Sequence, residues 1–280
     1  MLTHRPIPTF VELCAGTAAV SLRLAKAKAK PPVSRMGAKT GYADAILYHL
    51  RLQPGQGAER YVWCEPDDGA RLLLGAYTDP ELCREAAAIL RSWAGEEPRA
   101  LWDRLRGEAV GVGAREVART WLLWAWAYRA GQPEGGYNPK AVAGVERTAT
   151  SHGSNPRDAG TESRRVSRLR VGGMAATIHP DARLLDPIPG AVVLFDPPYV
   201  DTTGYGHDLP RPDVVAIAER WASAGCTVAI CEQEPIAELP TWERVEITGL
   251  RRGQKRTFSK QKSEWLTIWS LAWEKSGTVA

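Results

Sequence analysis

Short apolar runs alternate with amphipathic helical patterns along most of the 280-residue chain. Short apolar runs indicate buried strands, and apolar positions that recur with the helical period indicate helices. On this basis we predict strands at 9–14, 61–64, 173–178, 191–195, 226–231, 242–248 and 264–273. Because helical segments separate most of these strands, the pattern predicts an α/β fold with a mostly parallel sheet.

Helices are predicted at 18–29, 42–51, 67–77, 79–93, 98–106, 114–129 and 213–224. Within 114–129, Trp121, Trp124 and Tyr128 share one helical face, so we expect this face to pack in a core. The periodicity gives way to Gly, Pro, Ser, Thr and Asn from 131 to 161. That composition predicts a long loop, a class of segment that is often functional.

Composition narrows the class of protein. Hydrophobic residues make up 44% of the chain and charged residues 24%, as in soluble globular proteins. The five cysteines show no C-x-x-C pair or zinc-like spacing. We therefore expect buried thiols, no metal site and a reducing compartment, the cytoplasm of a bacterial or phage-infected cell. No signal-peptide core is visible and the apolar stretch 121–128 is too short to cross a bilayer, so no membrane partner is expected.

The net charge of +4 is unevenly distributed. Residues 244–262 carry seven cations and one acid, and residues 131–170 carry seven cations and four acids. The rest of the chain is therefore acidic. Clustered positive charge is typical of proteins that bind the phosphates of nucleic acids, whereas a solvated charged surface is the plainer alternative.

The candidate chemistry begins directly after the apolar run 191–195, with the tetrapeptide Asp196-Pro197-Pro198-Tyr199. At the carboxyl end of a parallel strand, it would lie where open α/β sheets bind ligands. The prolines restrict the backbone and leave carbonyl acceptors between a carboxylate and an aromatic ring. This set suits the exocyclic amino group of a flat base, whereas a simple turn after a strand is the alternative. Phe195, inside the strand, is expected in the core.

This tetrapeptide resembles the catalytic motif of amino-directed, S-adenosylmethionine-dependent methyltransferases, and its first-place Asp is typical of the Dam-like DNA adenine branch. The segment 12–18 resembles the family's cofactor motif of acid, hydrophobe, aromatic, any residue, Gly, any residue, Gly. It departs from that motif at Cys14, in the aromatic place, and at Ala18, in the place of the second glycine. A strand-glycine-helix turn also occurs in many other α/β folds.

A third segment, 35–39, resembles the family's aromatic-x-Gly-Gly-Lys motif, although it follows the first strand instead of opening the chain. The resemblance implies that Lys39 reaches the carboxylate of the cofactor, whereas a solvated loop lysine is the alternative. It also implies that Glu65 accepts from the ribose hydroxyls and that Asp181 accepts from the adenine amino group of the cofactor. Either acid could instead cap a helix.

The resemblance thus implies a full set of site residues. The catalytic residues are Asp196, Pro197, Pro198 and Tyr199. The S-adenosylmethionine-binding residues are Glu12, Cys14, Ala15, Gly16, Thr17, Ala18, Lys39, Glu65, Asp181 and Asp196, and the following helix would offer N–H groups to the methionine carboxylate. The DNA-binding residues are Tyr199, which stacks on the flipped base, and Tyr205, Arg165, Arg168, Arg252, Lys255, Arg256 and Phe258.

The fold that the resemblance implies is a Rossmann-like seven-stranded methyltransferase sheet, mostly parallel with its last strand antiparallel, plus a small recognition insertion. We expect the catalytic domain at 1–110 and 171–280 and a helical or irregular insertion at 111–170. The function expected is site-specific methylation of adenine N6 in double-stranded DNA, by a monomer or a weak dimer, in a phage, a mobile element or a restriction system. The alternatives are transfer to cytosine N4, to RNA or to a glutamine side chain, and a catalytically inactive DNA-binding relative.

Overall fold

The computed structural model describes residues 5–33, 37–128, 136–143, 145–147, 152–154, 157–167, 174–199, 209–247 and 264–270. In chain order the elements are β1 (Ile7–Leu13), α1 (Ala19–Ala25), a 3-10 turn (Lys39–Gly41), α2 (Ala43–His49), β2 (Ala58–Cys64), α3 (Asp68–Thr78), α4 (Pro80–Ser92), α5 (Pro98–Gly107), α6 (Gly113–Trp126), α7 (Pro139–Ala143), β3 (Val145–Arg147), β4 (His152–Ser154), α8 (Ala159–Ser167), β5 (Ala176–His179), β6 (Val192–Phe195), α9 (Arg211–Ser223), β7 (Thr227–Glu232), β8 (Glu243–Ile247) and β9 (Glu264–Trp269). The chain divides into two compact units. The first comprises Met1–Ala29, Lys39–Arg71 and Ala175–Ala280, and the second comprises Lys30–Ala38 and Leu72–Met174.

The first unit is built on a seven-stranded sheet whose described strands lie in the order β5-β2-β1-β6-β7-β9-β8. Strands β5, β2, β1, β6 and β7 are parallel neighbours, and β9 runs antiparallel to both β7 and β8. This confirms the predicted α/β fold class, a Rossmann-like seven-stranded sheet that is mostly parallel with its last strand antiparallel. The strand order reverses between β1 and β6, the place where open α/β sheets form a ligand crevice.

Apolar side chains on the central strands make up the core of this unit. Val11, Val193 and Phe195 are fully buried, and they cluster with Ile217 and Trp221 of α9. The core position predicted for Phe195 is therefore confirmed. Continuous apolar runs suit these strands because a parallel strand in the middle of a sheet is covered on both faces.

Helix α1 is shorter than the predicted helix 18–29, since it ends at Ala25. Lys26 is extended, and the carbonyl oxygens of Arg23 and Leu24 accept hydrogen bonds from the backbone N–H groups of Gly55 and Gly57. These carbonyls would otherwise continue the helical ladder. A contact distant in the chain thus ends a helix that its Ala and Lys content would allow to continue.

The second unit is mainly helical, and α6 lies at its centre. The core position of the tryptophans is confirmed, since Trp121, Trp124 and Trp126 are all buried. The expectation for Tyr128 is wrong, because its side chain is 59% exposed. Helix α6 ends at Trp126 and Ala127 is extended, forming a bridge with Tyr137, so the helical period no longer applies at Tyr128.

The segment predicted as a long loop, 131–161, contains the short helix α7, an antiparallel hairpin of β3 and β4, and the start of α8. Helix α8 was not predicted from the sequence because its buried face is largely polar. Ser163 Oγ donates to the Ala87 carbonyl (2.6 Å), and the Glu162 carboxylate accepts from Trp121 Nε1 (3.1 Å) and Arg157 Nε (2.7 Å). The insertion expected at 111–170 falls within the longer segment of the second unit, Leu72–Met174.

Two further expectations concern the cysteines and membrane-spanning helices. All five cysteines are free thiols, as expected, and Cys64, Cys83, Cys226 and Cys231 are buried while Cys14 is partly exposed. Within the described ranges, no helix combines the length and the apolar character that crossing a bilayer requires.

Candidate functional site

The Asp-Pro-Pro-Tyr motif, residues 196–199, continues β6 at the carboxyl edge of the parallel strands. The backbone N–H of Asp196 donates to the carbonyl of Leu13 (3.0 Å), which attaches the motif to the end of β1. Next to it, the N–H of Ala15 donates to the carbonyl of Cys64 (2.7 Å), at the end of β2. The structure therefore brings the predicted catalytic motif and the predicted cofactor turn to one edge of the sheet.

The turn after β1, residues 14–18, has an unusual backbone. Cys14, Gly16 and Ala18 all have positive φ, at 60°, 54° and 48°. Only Gly adopts this region without steric cost, so Cys14 and Ala18 are held there by the surrounding structure. Within the described part of the chain, a Cβ added to Gly16 would meet nothing within 4 Å. The turn is thus tightly shaped and leaves room beside Gly16.

Glu65 directly follows β2 and is buried beneath this turn. Its Oε2 accepts from the backbone N–H of Gly16 (2.7 Å), and its Oε1 accepts from the backbone N–H of Asp67 (3.1 Å). The Arg71 guanidinium donates to the carbonyl of Glu65 (2.8 Å). The acid that was predicted to accept from a ribose is therefore fixed beside the Gly16 turn.

Glu12 has a local role that the sequence did not indicate. Its carboxylate accepts from the backbone N–H of Ser21, in the first turn of α1, where Ala18 provides no side-chain cap. Trp63 Nε1 in turn donates to Ser21 Oγ (2.9 Å). Burial raises the pKa of Glu12 to about 7, and the hydrogen bonds from Ser21 oppose this rise. Glu12 thus takes the Ser21 N–H group that we had expected α1 to offer to a ligand.

Thr17 contributes a polar atom at the centre of the turn. The residue is buried, and its Oγ1 has no hydrogen-bond partner among the described residues. A buried hydroxyl without a partner is costly and rare in folded proteins, so it marks a place where a polar ligand would be stabilising.

The neighbouring Ala15 and Ala18 are buried, and burial raises the pKa of the Cys14 thiol well above its ordinary range.

Four side chains form a buried group that we name the acid–lysine cluster: Lys39, Asp196, Tyr199 and Glu264. Lys39 Nζ lies 2.7 Å from Asp196 Oδ1 and 3.6 Å from Glu264 Oε2. The Tyr199 hydroxyl donates to the same Glu264 Oε2 (2.5 Å), and Lys39 Nζ lies 4.8 Å from the centre of the Tyr199 ring. The side chain of Lys39 is only 4% exposed. One ammonium is therefore shared by two carboxylates and an aromatic face.

The electrostatics of the cluster follow from burial. Desolvation raises the pKa of Asp196 to about 6, the charges of Glu264 and Glu65 add to the rise, and Lys39 opposes it. Burial lowers the pKa of Lys39, but the charges of Asp196, Cys231 and Glu264 and the hydrogen bond to Asp196 together outweigh burial and raise it. Burial also raises the pKa of Tyr199. At neutral pH Lys39 is therefore an ammonium and Tyr199 a neutral phenol.

Lys39 lies in the 3-10 turn, where its motif had suggested a contact with the carboxylate of a cofactor. The structure pairs it with Asp196 and Glu264 of the chain itself. The alternative of a solvated lysine is wrong, since the side chain is buried. Lys39 therefore lies beside the Asp-Pro-Pro-Tyr motif, in contact with Asp196.

Asp181 follows β5 at the same edge of the sheet, but its carboxylate is engaged locally. It accepts from the backbone N–H of Arg183 (2.9 Å) and from the Arg183 guanidinium (2.9–3.1 Å). These bonds hold the pKa of Asp181 below its ordinary value. The predicted contact with an adenine amino group would have to compete with Arg183 or use the remaining acceptor capacity of the carboxylate.

Of the predicted DNA-binding side chains, Tyr199 and Arg165 lie in the described part of the chain. Arg165 is on α8, its side chain is 39% exposed, and its NH1 lies 3.7 Å from Glu162 Oε1. Burial lowers its pKa, against the effect of Glu162. The other residues of this prediction lie outside the described residues: Tyr205, Arg168, Arg252, Lys255, Arg256 and Phe258.

Two acids at this edge, Glu264 and Glu232, were not among the site residues predicted from the sequence. Glu232 ends β7, lies 3.1 Å from Arg211 NH1, and has its pKa raised to about 7 by burial. Glu264 begins β9, whose start lies at the edge where the parallel strands end because β9 is antiparallel. The available signal was an acid at the first position of an otherwise apolar strand.

The assembled edge can accept hydrogen bonds from a neutral amino group, through Asp196 and the proline carbonyls, next to an aromatic ring. Its buried carboxylates outnumber its ammonium, so it favours neutral or cationic groups over anions.

No family model matches the sequence, and no curated protein matches it.

Proposed function

We propose that this protein is a DNA adenine-N6 methyltransferase that uses S-adenosylmethionine. The observation that carries the proposal is the position of the Asp-Pro-Pro-Tyr motif. It continues β6 and is hydrogen-bonded to the end of β1, beside the Gly16 turn, at the point where the strand order reverses. Amino-directed methyltransferases need this juxtaposition, because the acceptor nitrogen must meet the methyl donor in line.

The residues at the Gly16 turn fit S-adenosylmethionine. Thr17 Oγ1 is a buried hydroxyl suited to a carboxylate, the space beside Gly16 admits a ligand close to the backbone, and the Glu65 carboxylate suits a ribose diol. Excess carboxylate charge at this edge also suits a sulfonium. When bound, the cofactor supplies a methyl group that is activated by a positively charged sulfur.

Residues of the motif would prepare the acceptor nitrogen. The Asp196 carboxylate and the Pro197 carbonyl accept the two hydrogens of the amino group, and Pro198 keeps the backbone rigid. The flipped base stacks on the Tyr199 ring. Bonding both hydrogens pulls the nitrogen from planar toward tetrahedral and turns its lone pair toward the methyl group. Geometry and preorganised electrostatics supply the catalysis, and no strong base is required.

Two features of the sequence favour DNA adenine over the other acceptors. Asp in the first place of the motif is typical of the adenine branch, and the positive segments 131–170 and 244–262 favour a nucleic acid over a protein substrate. Transfer to cytosine N4 is the second candidate, since it would use the same acceptors. A catalytically inactive DNA-binding protein would keep the positive segments and fail to bind the cofactor.

The function is tested by expressing the chain in a bacterial host without DNA methylation and mapping modified bases in genomic DNA. We expect N6-methyladenine within one short recurring sequence, absent from a host that carries the empty vector. N4-methylcytosine would move the proposal to the second candidate. Unmodified DNA together with no binding of labelled S-adenosylmethionine would favour the inactive protein.

Gly16→Ala tests the place of the cofactor. The new methyl group meets no described atom, so the fold should lose only about 1–2 kcal/mol for the left-handed backbone. The same methyl group would collide with a ligand that lies against the turn. We expect the Kd for S-adenosylmethionine, measured by calorimetry, to rise tenfold or more, in line with the ~1–3 kcal/mol cost of overpacking.

Gly190→Ala is the matched control. Gly190 also has positive φ, at 77°, and a Cβ there meets no described atom within 4 Å, but the residue precedes β6 at the opposite edge of the sheet. It should lose similar stability and keep the cofactor Kd of the unchanged protein. Equal effects of the two variants on the Kd would place the cofactor elsewhere.

A further inference from the structure

We propose that Glu264 is a positioning residue of the active site, which fixes the Tyr199 ring and the Lys39 ammonium around Asp196. This inference rests on the proposed function and adds to it a residue that belongs to neither the catalytic nor the cofactor motif. Glu264 does not reach the reacting atoms in this assignment; it acts through Tyr199 and Lys39.

The contacts of Glu264 connect three distant segments of the chain. Its Oε2 accepts from the Tyr199 hydroxyl (2.5 Å) and lies 3.6 Å from Lys39 Nζ, which is 2.7 Å from Asp196 Oδ1. Lys39 also lies over the Tyr199 ring, 4.8 Å from its centre. Lys39 thus contacts the three other members, and Glu264 and Tyr199 contact two each. Removal of Glu264 would take one partner from Tyr199 and one from Lys39.

Backbone geometry makes Glu264 a firm anchor. It is the first residue of β9, and its strand pairs with β7 on one side and β8 on the other, with Trp265 opposite Glu232 and Glu264 opposite Ile247. A residue paired at the start of a strand keeps its position better than a loop residue. Its side chain is only 10% exposed, so few other rotamers would leave the carboxylate paired.

Stability alone does not account for this carboxylate. Two buried carboxylates share one ammonium, and burying a charge without full compensation is unfavourable, so an apolar residue at the start of β9 would be easier to fold. Charged groups that are costly to bury concentrate at functional sites. The free-energy cost of burying the Glu264 carboxylate is explained if the Tyr199 hydroxyl and the Lys39 ammonium must be held in one arrangement.

The arrangement defines how Tyr199 could meet a base. The phenol is tied at its hydroxyl, and the ammonium lies over one face of the ring, a favourable cation–π contact. A flipped base would therefore stack on the other face, with its amino group near Asp196. Preorganisation of this kind lowers the entropic cost of reaching the reactive geometry.

The experiment compares Glu264→Ala, Glu264→Gln and Tyr199→Phe by transfer of tritium from labelled S-adenosylmethionine to genomic DNA of a methylation-free host. For Glu264→Ala we expect kcat to fall by about 100-fold, the effect of a small misplacement of catalytic groups. The cofactor Kd should stay within about twofold, since Glu264 does not contact the Gly16 turn. Glu264→Gln should recover part of kcat, because its amide oxygen still accepts from the Tyr199 hydroxyl.

A pH profile separates positioning from a merely structural role. The charged groups around Asp196 are Lys39, Glu264, Glu65, Glu12 and Glu232. The charge of Glu264 helps to raise the pKa of Asp196 to about 6, so activity should fall below about pH 6 in the unchanged protein. Glu264→Gln removes that charge, and the acid limb of kcat should move to lower pH. Glu243→Gln, at an exposed acid of the neighbouring β8 outside the positive segments, should leave kcat and the limb unchanged.

Failure of the two proposals can be told apart. If the unchanged protein binds S-adenosylmethionine and methylates DNA, unaltered kcat and pH limb in Glu264→Gln would overturn the role of Glu264. If the unchanged protein transfers no methyl group, the proposed function is wrong. The melting temperatures of the variants then test whether Tyr199 and Glu264 contact each other. The double variant Tyr199→Phe/Glu264→Gln should then have a melting temperature no lower than that of the less stable single variant. Additive losses of melting temperature would overturn the contact between Tyr199 and Glu264.

Discussion

Asp196→Ala should lower the rate of DNA methylation by about 10³-fold and raise the cofactor Kd far less, the loss expected when a preorganised electrostatic partner of the reacting group is removed. The carboxylate is the acceptor placed directly at the end of β6, and its backbone is fixed by the bond to Leu13. The Pro197 carbonyl cannot hold both hydrogens of an amino group in the required directions. The measurement is tritium transfer to genomic DNA, with the Kd from calorimetry.

The structure also predicts that this variant folds. Without Asp196, Lys39 keeps Glu264 as a partner, so the cluster changes from two carboxylates and one ammonium to a single balanced pair. The loss of activity should therefore come without a large loss of melting temperature. Asp196→Asn retains one acceptor oxygen and should keep more activity than Asp196→Ala.

Asp186→Ala is the matched control, since Asp186 is an exposed acid of the loop that precedes β6. It should methylate DNA at the rate of the unchanged protein. If Asp196→Ala stays within tenfold of the unchanged protein, the motif does not hold the acceptor amino group and the mechanism proposed for it fails.

The second large effect is on stability. Lys39→Met keeps the length of the side chain and removes its charge, which leaves the Asp196 and Glu264 carboxylates buried without their shared ammonium. Breaking a buried pair by removing one partner costs about 3–5 kcal/mol. For a chain of this size we expect Tm to fall by about 10 °C at pH 8, as measured by calorimetry.

The loss should depend on pH in a definite direction. Lys39 opposes the rise in the pKa of Asp196, so in Lys39→Met that pKa moves above about 6, further above the unfolded value. A carboxyl whose pKa is raised by folding stabilises the fold when it is protonated, and that contribution is lost as the pH rises through the folded pKa. The deficit of Lys39→Met should therefore be largest at pH 8 and smaller at pH 5.

Lys26→Met serves as the control, because Lys26 is exposed just after α1. It should melt within about a degree of the unchanged protein, as surface substitutions usually do. A deficit of Lys39→Met that is small, or that does not change between pH 5 and pH 8, would mean that the ammonium does not balance buried carboxylates.

Most of the sheet unit was predictable from sequence because its strands are nearly continuous apolar runs. A run such as 191–195 is stable only where both faces are covered, so it indicates a central parallel strand. The place of Asp196 at the edge of the sheet follows from the same run, since the motif begins where the apolar residues end. Helix α8 was not predictable, because its buried face carries Glu162 and Ser163, whose partners lie on α6 and α4.

The sequence by itself therefore determined the order of the seven sheet strands and of the helices outside 131–170, the mostly parallel sheet and the position of the Asp-Pro-Pro-Tyr motif at its carboxyl edge. Only the tertiary structure decided what these charged groups contact. Glu12 accepts from the Ser21 N–H, Glu65 accepts from the Gly16 N–H, and Lys39 lies between Asp196 and Glu264. Apolar periodicity reports which face a residue takes within its own element. It carries no information on which charged group of a distant segment lies opposite, because that is set by strand order, by the antiparallel direction of β9 and by burial.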